Sequence, residues 1–204
     1  MRKPVRYLFP VLLVTLFLAP ATMRATDAFT LYELLAPSTH SFDILYDVFI
    51  DREGAAYFFN PIRPGSVATN ERVIDLSTGK PLEFGEVDAK TARESGLVRG
   101  KIADDQKYIR VKFAHPVPKN GEVRIRIYKT YTDPPSYYEK DGALIFDRPL
   151  GIKRNVVALP KGYELVGSQS PGIVSTDTDG RVRISFLNDR DDQLPVKIAA
   201  RRMK

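Results

Sequence analysis

Apolar and polar residues alternate one by one over several segments of this chain, and this period of two constrains its fold most strongly. Successive side chains of a β-strand point to opposite faces, so the alternation predicts strands with one buried face. The segments are SFDILYDVFI (41–50), KYIRVKF (107–113), EVRIRIY (122–128), GRVRISF (180–186) and PVKIAAR (195–201). Two shorter apolar runs, ALIFD (143–147) and NVVAL (155–159), predict more fully buried strands.

Turn signals separate these segments at short intervals. The dipeptides that favour tight hairpins are Asn120-Gly121, Asp141-Gly142 and Asp179-Gly180. We therefore predict an all-β fold, an antiparallel β-sandwich of two hairpin-rich sheets. One short N-terminal helix is expected ahead of the strands, capped by Asp27 and stopped by Pro37, with an apolar face made of Leu31, Leu34 and Leu35.

The first 25 residues have the layout of a secretory signal peptide. Arg2, Lys3 and Arg6 precede an apolar run, 7–20, that is too short for a comfortable membrane span. We predict a signal peptide at 1–25 and a single β-sandwich domain at 26–204, in a protein that is secreted or periplasmic. The alternative is an uncleaved anchor, in which case this segment would be the contact with the membrane.

The net charge of +6 gives little support to nucleic-acid binding. Four of the 31 basic residues lie in residues 1–25, together with none of the 25 acidic residues. The basic excess is therefore partly an export signal, and we expect no nucleic-acid partner.

Few residues have the chemistry of a metal or catalytic site. The chain has no cysteine and two histidines, His40 and His115, neither with a second ligand at helical spacing. Asp177 and Asp179 resemble the start of a calcium loop, but a tight hairpin explains them better. We predict no metal, no cofactor and no catalytic residue. The alternative is a secreted hydrolase that uses carboxylates or a Ser/His/Asp arrangement formed in space around either histidine.

Cations occupy the predicted outer face of four strands. They are Arg110, Lys112, Arg124, Arg126, Arg181, Arg183 and Lys197. A continuous basic face would attract an acidic partner or polymer. We favour instead a solvated face with cross-strand pairing to carboxylates, because the sequence does not show that the four strands are neighbours in one sheet.

The segment YKTYTDPPSYYEKDG (128–142) is the best candidate for a binding surface. Alternation is clean up to Ile127, after which a lysine and a tyrosine take the apolar positions, so the chain is predicted to leave the core. Exposed tyrosines beside cations are typical of contact surfaces. The predicted binding residues are Arg126, Tyr128, Lys129, Tyr131, Tyr137 and Tyr138. The alternative is that these rings pack over a sheet edge with only their hydroxyls in water.

The segment LLAPSTHSFDILYDV (34–48) resembles the N-terminal sandwich domains of secreted metallopeptidases. The resemblance covers about fifteen residues and no HExxH motif follows, so no fold or role is transferred from it. The sequence predicts an exported, non-catalytic binding or interaction module of the cell envelope, with a protein or an anionic or polysaccharide polymer as partner. A protein partner is favoured because tryptophan, a usual platform for sugars, is absent.

Overall fold

The computed structural model describes residues 28–98 and 100–203, so the predicted signal peptide and Asp27 lie outside the described residues. The chain is mostly β, as the alternation predicts. The strands are β1 (Phe29–Leu34), β2 (Ser41–Ile50), β3 (Tyr57–Ile62), β4 (Val67–Asp75), β5 (Phe84–Val87), β6 (Lys107–Lys112), β7 (Val123–Thr132), β8 (Tyr137–Lys140), β9 (Ala143–Leu150), β10 (Arg154–Ala158), β11 (Tyr163–Ser168), β12 (Ile173–Thr176), β13 (Val182–Leu187) and β14 (Leu194–Arg202). A 3-10 helix covers Pro37–Thr39, and a short α-helix, α1, covers Ala89–Glu94. Among the described residues, no helix is long and apolar enough to cross a membrane.

The strands form three sheets where two were predicted. A seven-stranded sheet has the order β12-β13-β10-β1-β2-β7-β4, a four-stranded sheet the order β11-β14-β9-β8, and a three-stranded sheet the order β3-β6-β5. β1 and β10 pair in parallel, so the seven-stranded sheet is mixed rather than purely antiparallel. Neighbours elsewhere in the three sheets pair antiparallel.

The predicted N-terminal helix is wrong. Phe29–Leu34 is a strand between β10 and β2, with Thr30, Tyr32 and Leu34 buried in alternation. The sequence FTLYEL has a period of two as well as leucines at helical spacing, and its Phe, Thr and Tyr favour strands. The local pattern is therefore compatible with both a helix and a strand. Pairing with β10 and β2 favours the strand, and these partners lie outside the local sequence.

Two of the three predicted hairpin dipeptides connect neighbouring strands. Asp141 and Gly142 both have positive φ, 52° and 77°, between β8 and β9, which is the geometry of a type I′ turn. Asp179-Gly180 lies in the β12–β13 connection. The Asn120-Gly121 hairpin is wrong, because β6 and β7 on either side of it belong to different sheets.

The main core lies between the seven-stranded and four-stranded sheets. Phe42 of β2 is fully buried, and its ring meets Tyr32, Tyr131, Tyr137 and Phe146 at centroid distances of 5.6–6.4 Å. Phe146 belongs to β9 of the four-stranded sheet, so these rings join the two sheets. A smaller cluster packs beneath α1.

The cations of the four strands do not form one continuous basic face. Its four strands lie in three different sheets: β6 in the three-stranded, β7 and β13 in the seven-stranded and β14 in the four-stranded sheet. Their cations pair with carboxylates across or beside the strands, as in Arg126–Asp47, Arg183–Asp177, Lys197–Asp147 and Lys112–Glu83. The favoured interpretation, pairing of these cations with carboxylates, therefore describes this surface.

Arg126 and Asp47 are expected to couple by about 1 kcal/mol in a double-mutant cycle, the upper end for partly exposed pairs. The guanidinium donates twice to the carboxylate, with Nε–Oδ1 and Nη2–Oδ2 distances of 2.5 and 2.7 Å, on neighbouring strands. Urea unfolding of R126A, D47A and the double variant measures the coupling. The more exposed Lys197–Asp147 pair should couple less, and equal coupling in both pairs would contradict this geometric explanation.

Candidate functional site

The six predicted binding residues do not form one surface. Lys129, Tyr131 and Tyr137 are buried inside the protein, whereas Arg126, Tyr128 and Tyr138 are half-buried near its surface. On β7 the two groups alternate and therefore lie on opposite faces of the strand. Whether the half-buried three bind a partner stays a prediction.

The prediction that the chain leaves the core after Ile127 is wrong. The inward series of β7 continues through Lys129 and Tyr131, and Asp133 beyond the strand is buried too. Tyr131 is 1% exposed and Tyr137 is 0% exposed, so neither can serve as a contact ring. The Tyr137 hydroxyl donates to the Leu35 carbonyl at 2.6 Å, which satisfies its polar end inside the protein.

The outward part of the predicted site is partly covered. The Arg72 guanidinium lies 3.8 Å from the centroid of the Tyr128 ring, and that of Arg126 lies 6.0 Å from it. Hydrogen bonding to Asp47 raises the pKa of Arg126. These cations therefore already have partners within the protein.

A cavity of about 230 Å³ lies where the three sheets meet. Strands β1, β2 and β7 of the seven-stranded sheet line it, together with β3 and β9 from the other two sheets. Its exposed rim is formed by Pro61, Pro149, Gly151 and Gln193. Aromatic and apolar side chains make up much of the wall, and two cations, Lys129 and Arg148, line it as well.

Lys129 is the most unusual residue of this cavity. Its side chain is buried, with the residue 6% exposed, and Nζ contacts two neutral oxygens, Asn60 Oδ1 and Tyr131 Oη, the latter at 3.3 Å. Within residues 28–98 and 100–203 no carboxylate lies in ion-pair distance of it. The pKa of Lys129 is lowered to about 7, mainly by burial and also by the cation of Arg148, while Glu71 acts in the opposite direction.

Arg148 is the second cation of the cavity, and it has a counter-ion. Its Nη1 donates to Asp133 Oδ2 at 2.7 Å, in a pair whose side chains are 11% and 4% exposed. The guanidinium carbon lies 5.5 Å from the centroid of the Tyr131 ring, and Lys129 Nζ lies 4.6 Å from the same centroid. Both cations thus lie near one ring, and one carboxylate, that of Asp133, accompanies them.

Neutral polar groups complete the wall. Thr30 Oγ1 lines the cavity and is buried; it lies close enough to Tyr32 to affect that phenol, but it forms no hydrogen bond of normal geometry with the described residues. Burial raises the pKa of Tyr46 and of Tyr131, each to about 12, so both phenols stay protonated at neutral pH. Buried polar groups are normally paired, so the unpartnered hydroxyl and the uncompensated cation together favour an anionic group in this space.

The two histidines lie elsewhere. His40 Nδ1 is 2.9 Å from the carbonyl oxygen of Tyr137, whereas His115 is exposed. Ser41, beside His40 in sequence, bonds to Thr39 O and Thr132 Oγ1 instead. Among the described residues, no group of three His, Cys, Asp or Glu side chains could hold a metal ion.

Sequence reasoning named Lys129 for the wrong reason and missed its neighbours in the cavity. A usable signal was present, because Ile125, Ile127 and Lys129 are spaced two residues apart and therefore point to the same face of one strand. A lysine at an inward position of an apolar strand indicates a buried amine, and buried lysines have lowered pKa values. Arg148, Asn60 and Thr30 come from distant strands, and no local pattern connects them.

Comparison with protein-family models and with curated proteins found no match. Among solved structures, the M1 zinc metallopeptidase of Deinococcus radiodurans, in a substituted form bound to a Tyr-Ser-Ala substrate, is similar at 12% identity and a TM-score of 0.51. The alignment covers 85% of this chain and 41% of that chain, so this chain spans about two fifths of the enzyme. An aminopeptidase N family protein from Idiomarina loihiensis aligns at 10% identity and a TM-score of 0.46, covering 85% of this chain and 29% of that chain. At these identities the likeness to the Deinococcus enzyme concerns the fold alone.

Proposed function

We propose that this protein is an exported, non-catalytic binding module of the cell envelope, built as a β-sandwich, that holds an anionic group of its partner in the cavity of Lys129 and Arg148. The observation that carries the proposal is a buried lysine amine on the wall of an open cavity, with no counter-ion among the residues that the structure describes. A carboxylate in that space would pair with the amine and with the Thr30 hydroxyl.

The energetic argument rests on desolvation. Removing an unpaired ammonium from water costs several kcal/mol, whereas a paired ion recovers much of this cost through a short, charge-assisted hydrogen bond. An anionic ligand group therefore gains more here than beside surface cations such as Arg126, Arg183 and Lys197, which already have carboxylate partners. The aromatic side chains of the cavity wall can contact an apolar part of the ligand next to its acid group.

The partner is proposed to be an envelope protein with an accessible acidic group, since tryptophan is absent from the chain. Export rests on the layout of residues 1–25. Peptidase activity is not carried over from the similar Deinococcus enzyme, because the likeness is one of fold and this sequence has no HExxH motif.

The K129M variant is expected to lose at least tenfold in affinity for the envelope fraction that retains the protein. Co-sedimentation with separated cell-wall, outer-membrane and soluble envelope fractions, at low and high salt, measures this retention. K140M removes an exposed lysine from β8 and serves as the matched control. Retention in a protease-sensitive fraction supports a protein partner, and retention in a protease-resistant one indicates a polymer instead. Equal retention of K129M and the unsubstituted protein would contradict the proposal.

A further inference from the structure

We infer that the Lys129 amine captures small 2-oxo acids as an imine, with the acid group of the ligand held beside Arg148. This inference rests on the proposed function, because it uses the same anion-binding cavity, with a free small acid as the occupant in place of the acidic group of a protein partner. It adds a covalent and reversible step at one nitrogen atom. Reductive trapping of the imine separates this covalent step from simple binding of a carboxylate.

The hydrogen bonds of Lys129 suit a neutral amine. A neutral amine has two N–H donors and a lone pair, and Nζ has two acceptors, Asn60 Oδ1 and Tyr131 Oη. The Tyr131 hydroxyl donates to the Pro61 carbonyl at 3.5 Å, which leaves its oxygen free to accept from Nζ. A third proton on Nζ would have no acceptor among the described residues. In the neutral amine the lone pair is therefore not used by a hydrogen bond to the described residues, and Lys129 lines the cavity.

The surroundings of Nζ also favour its nucleophilic form. The amine is desolvated by burial, and a second cation, Arg148, lies 5.5 Å from the centroid of the same Tyr131 ring that Nζ approaches at 4.6 Å. Both effects lower the pKa of Lys129, to about 7, so about half of the amine is unprotonated at neutral pH. A lysine desolvated in an apolar pocket near another cation is a recognised arrangement for an activated amine.

The cavity determines the size and charge of the ligand. A space of about 230 Å³ corresponds to roughly seven water molecules at about 30 Å³ each, enough for a small organic acid. Arg148 uses Nη1 for Asp133, and the guanidinium has five N–H donors in all, so others remain for a ligand carboxylate. In a 2-oxo acid the carbonyl carbon is bonded directly to the carboxylate carbon, so one compact molecule serves both the amine and the guanidinium.

The reaction is balanced without any other reagent. The lone pair of Nζ attacks the carbonyl carbon and a C–N bond forms, while the electron pair of the C=O π bond moves to oxygen. One proton passes from nitrogen to that oxygen and gives a carbinolamine. Loss of the hydroxyl group with the remaining amine proton releases one water and leaves the imine. Nothing is oxidised or reduced, so the step reverses when the ligand is diluted.

Incubation of the protein with pyruvate and sodium cyanoborohydride tests the inference, since hydride reduces the imine to a stable secondary amine. We expect one adduct per chain by mass spectrometry, located at Lys129 by peptide mapping. K140M should label as the unsubstituted protein does, K129M should lose the adduct, and R148M should need at least tenfold more pyruvate for the same labelling. Propionate has the acid group but no ketone group. It should reduce labelling of the unsubstituted protein without forming an adduct itself.

The outcomes distinguish the two proposals. Adducts scattered over exposed lysines, or labelling of a folded K129M to the same extent, would overturn the imine. Propionate that raises the melting temperature of the unsubstituted protein, but not of K129M, while pyruvate leaves no adduct, would overturn the imine and support carboxylate binding. Absence of both effects would count against both proposals.

Discussion

Between pH 7 and pH 9 the free energy of unfolding of the protein is expected to rise by about 2 kcal/mol relative to the K129M variant. Lys129 has a folded-state pKa of about 7, and an unfolded lysine titrates near its ordinary value of 10.5. Across this interval the unfolded chain holds a proton on Lys129 that the native protein has released. Stability rises with pH wherever the unfolded state binds more protons, by about 1.4 kcal/mol per unit for one such group.

The sign of the effect separates Lys129 from ordinary ion-paired groups. Its folded pKa is depressed, so the destabilisation it causes is fully present below pH 7 and disappears as the pH approaches 10.5. Urea unfolding at pH 6, 7, 8 and 9 for the unsubstituted protein, K129M and K140M measures it. K140M should follow the unsubstituted protein in parallel, because Lys140 is exposed. A constant difference between the unsubstituted protein and K129M over this range would show that Lys129 keeps its proton in the folded state.

The alternating segments predicted strands accurately because their signal is local. Segment 41–50 is β2, with the bounds that the pattern gives, and the other alternating segments match β6, β7, β13 and β14. β3, which contains Pro61, and the exposed β12 have no such pattern and were missed. Pairing partners decide elements of this kind, and the parallel β1–β10 pair joins residues more than a hundred positions apart.

The candidate site was predictable only one residue at a time. The alternation of β7 indicates that Lys129 points inward, and Tyr131, two residues further on, points inward as well. The cavity itself depends on Asn60 from the three-stranded sheet and Arg148 from the four-stranded sheet, which the sequence does not connect to β7. Lys129 becomes desolvated only when the three sheets have packed together. The functional hypothesis therefore depends on the tertiary structure and not on a local sequence pattern.

Tyr137→Ala is expected to destabilise the protein by about 3–4 kcal/mol, and Tyr138→Ala by less than about 1 kcal/mol. The ring of Tyr137 is 0% exposed and packs edge-on against Phe42 at 6.4 Å, so its removal leaves a cavity between two sheets. Tyr138 is the next residue on the same strand, half-buried on the opposite face, where truncation leaves no enclosed void. The two substitutions are chemically identical, so their difference measures orientation alone.

Tyr137→Phe divides the larger effect into its parts. It removes only the hydroxyl that donates to Leu35 and should cost about 1 kcal/mol, since the carbonyl loses its donor while the ring stays in place. Urea unfolding of the three variants at pH 7 tests the series. Equal losses for Tyr137→Ala and Tyr138→Ala would show that the two rings are equally buried. If the expected order holds, truncation of Tyr137 lowers the stability of the whole fold, so loss of binding in such a variant would report stability rather than contact with a partner.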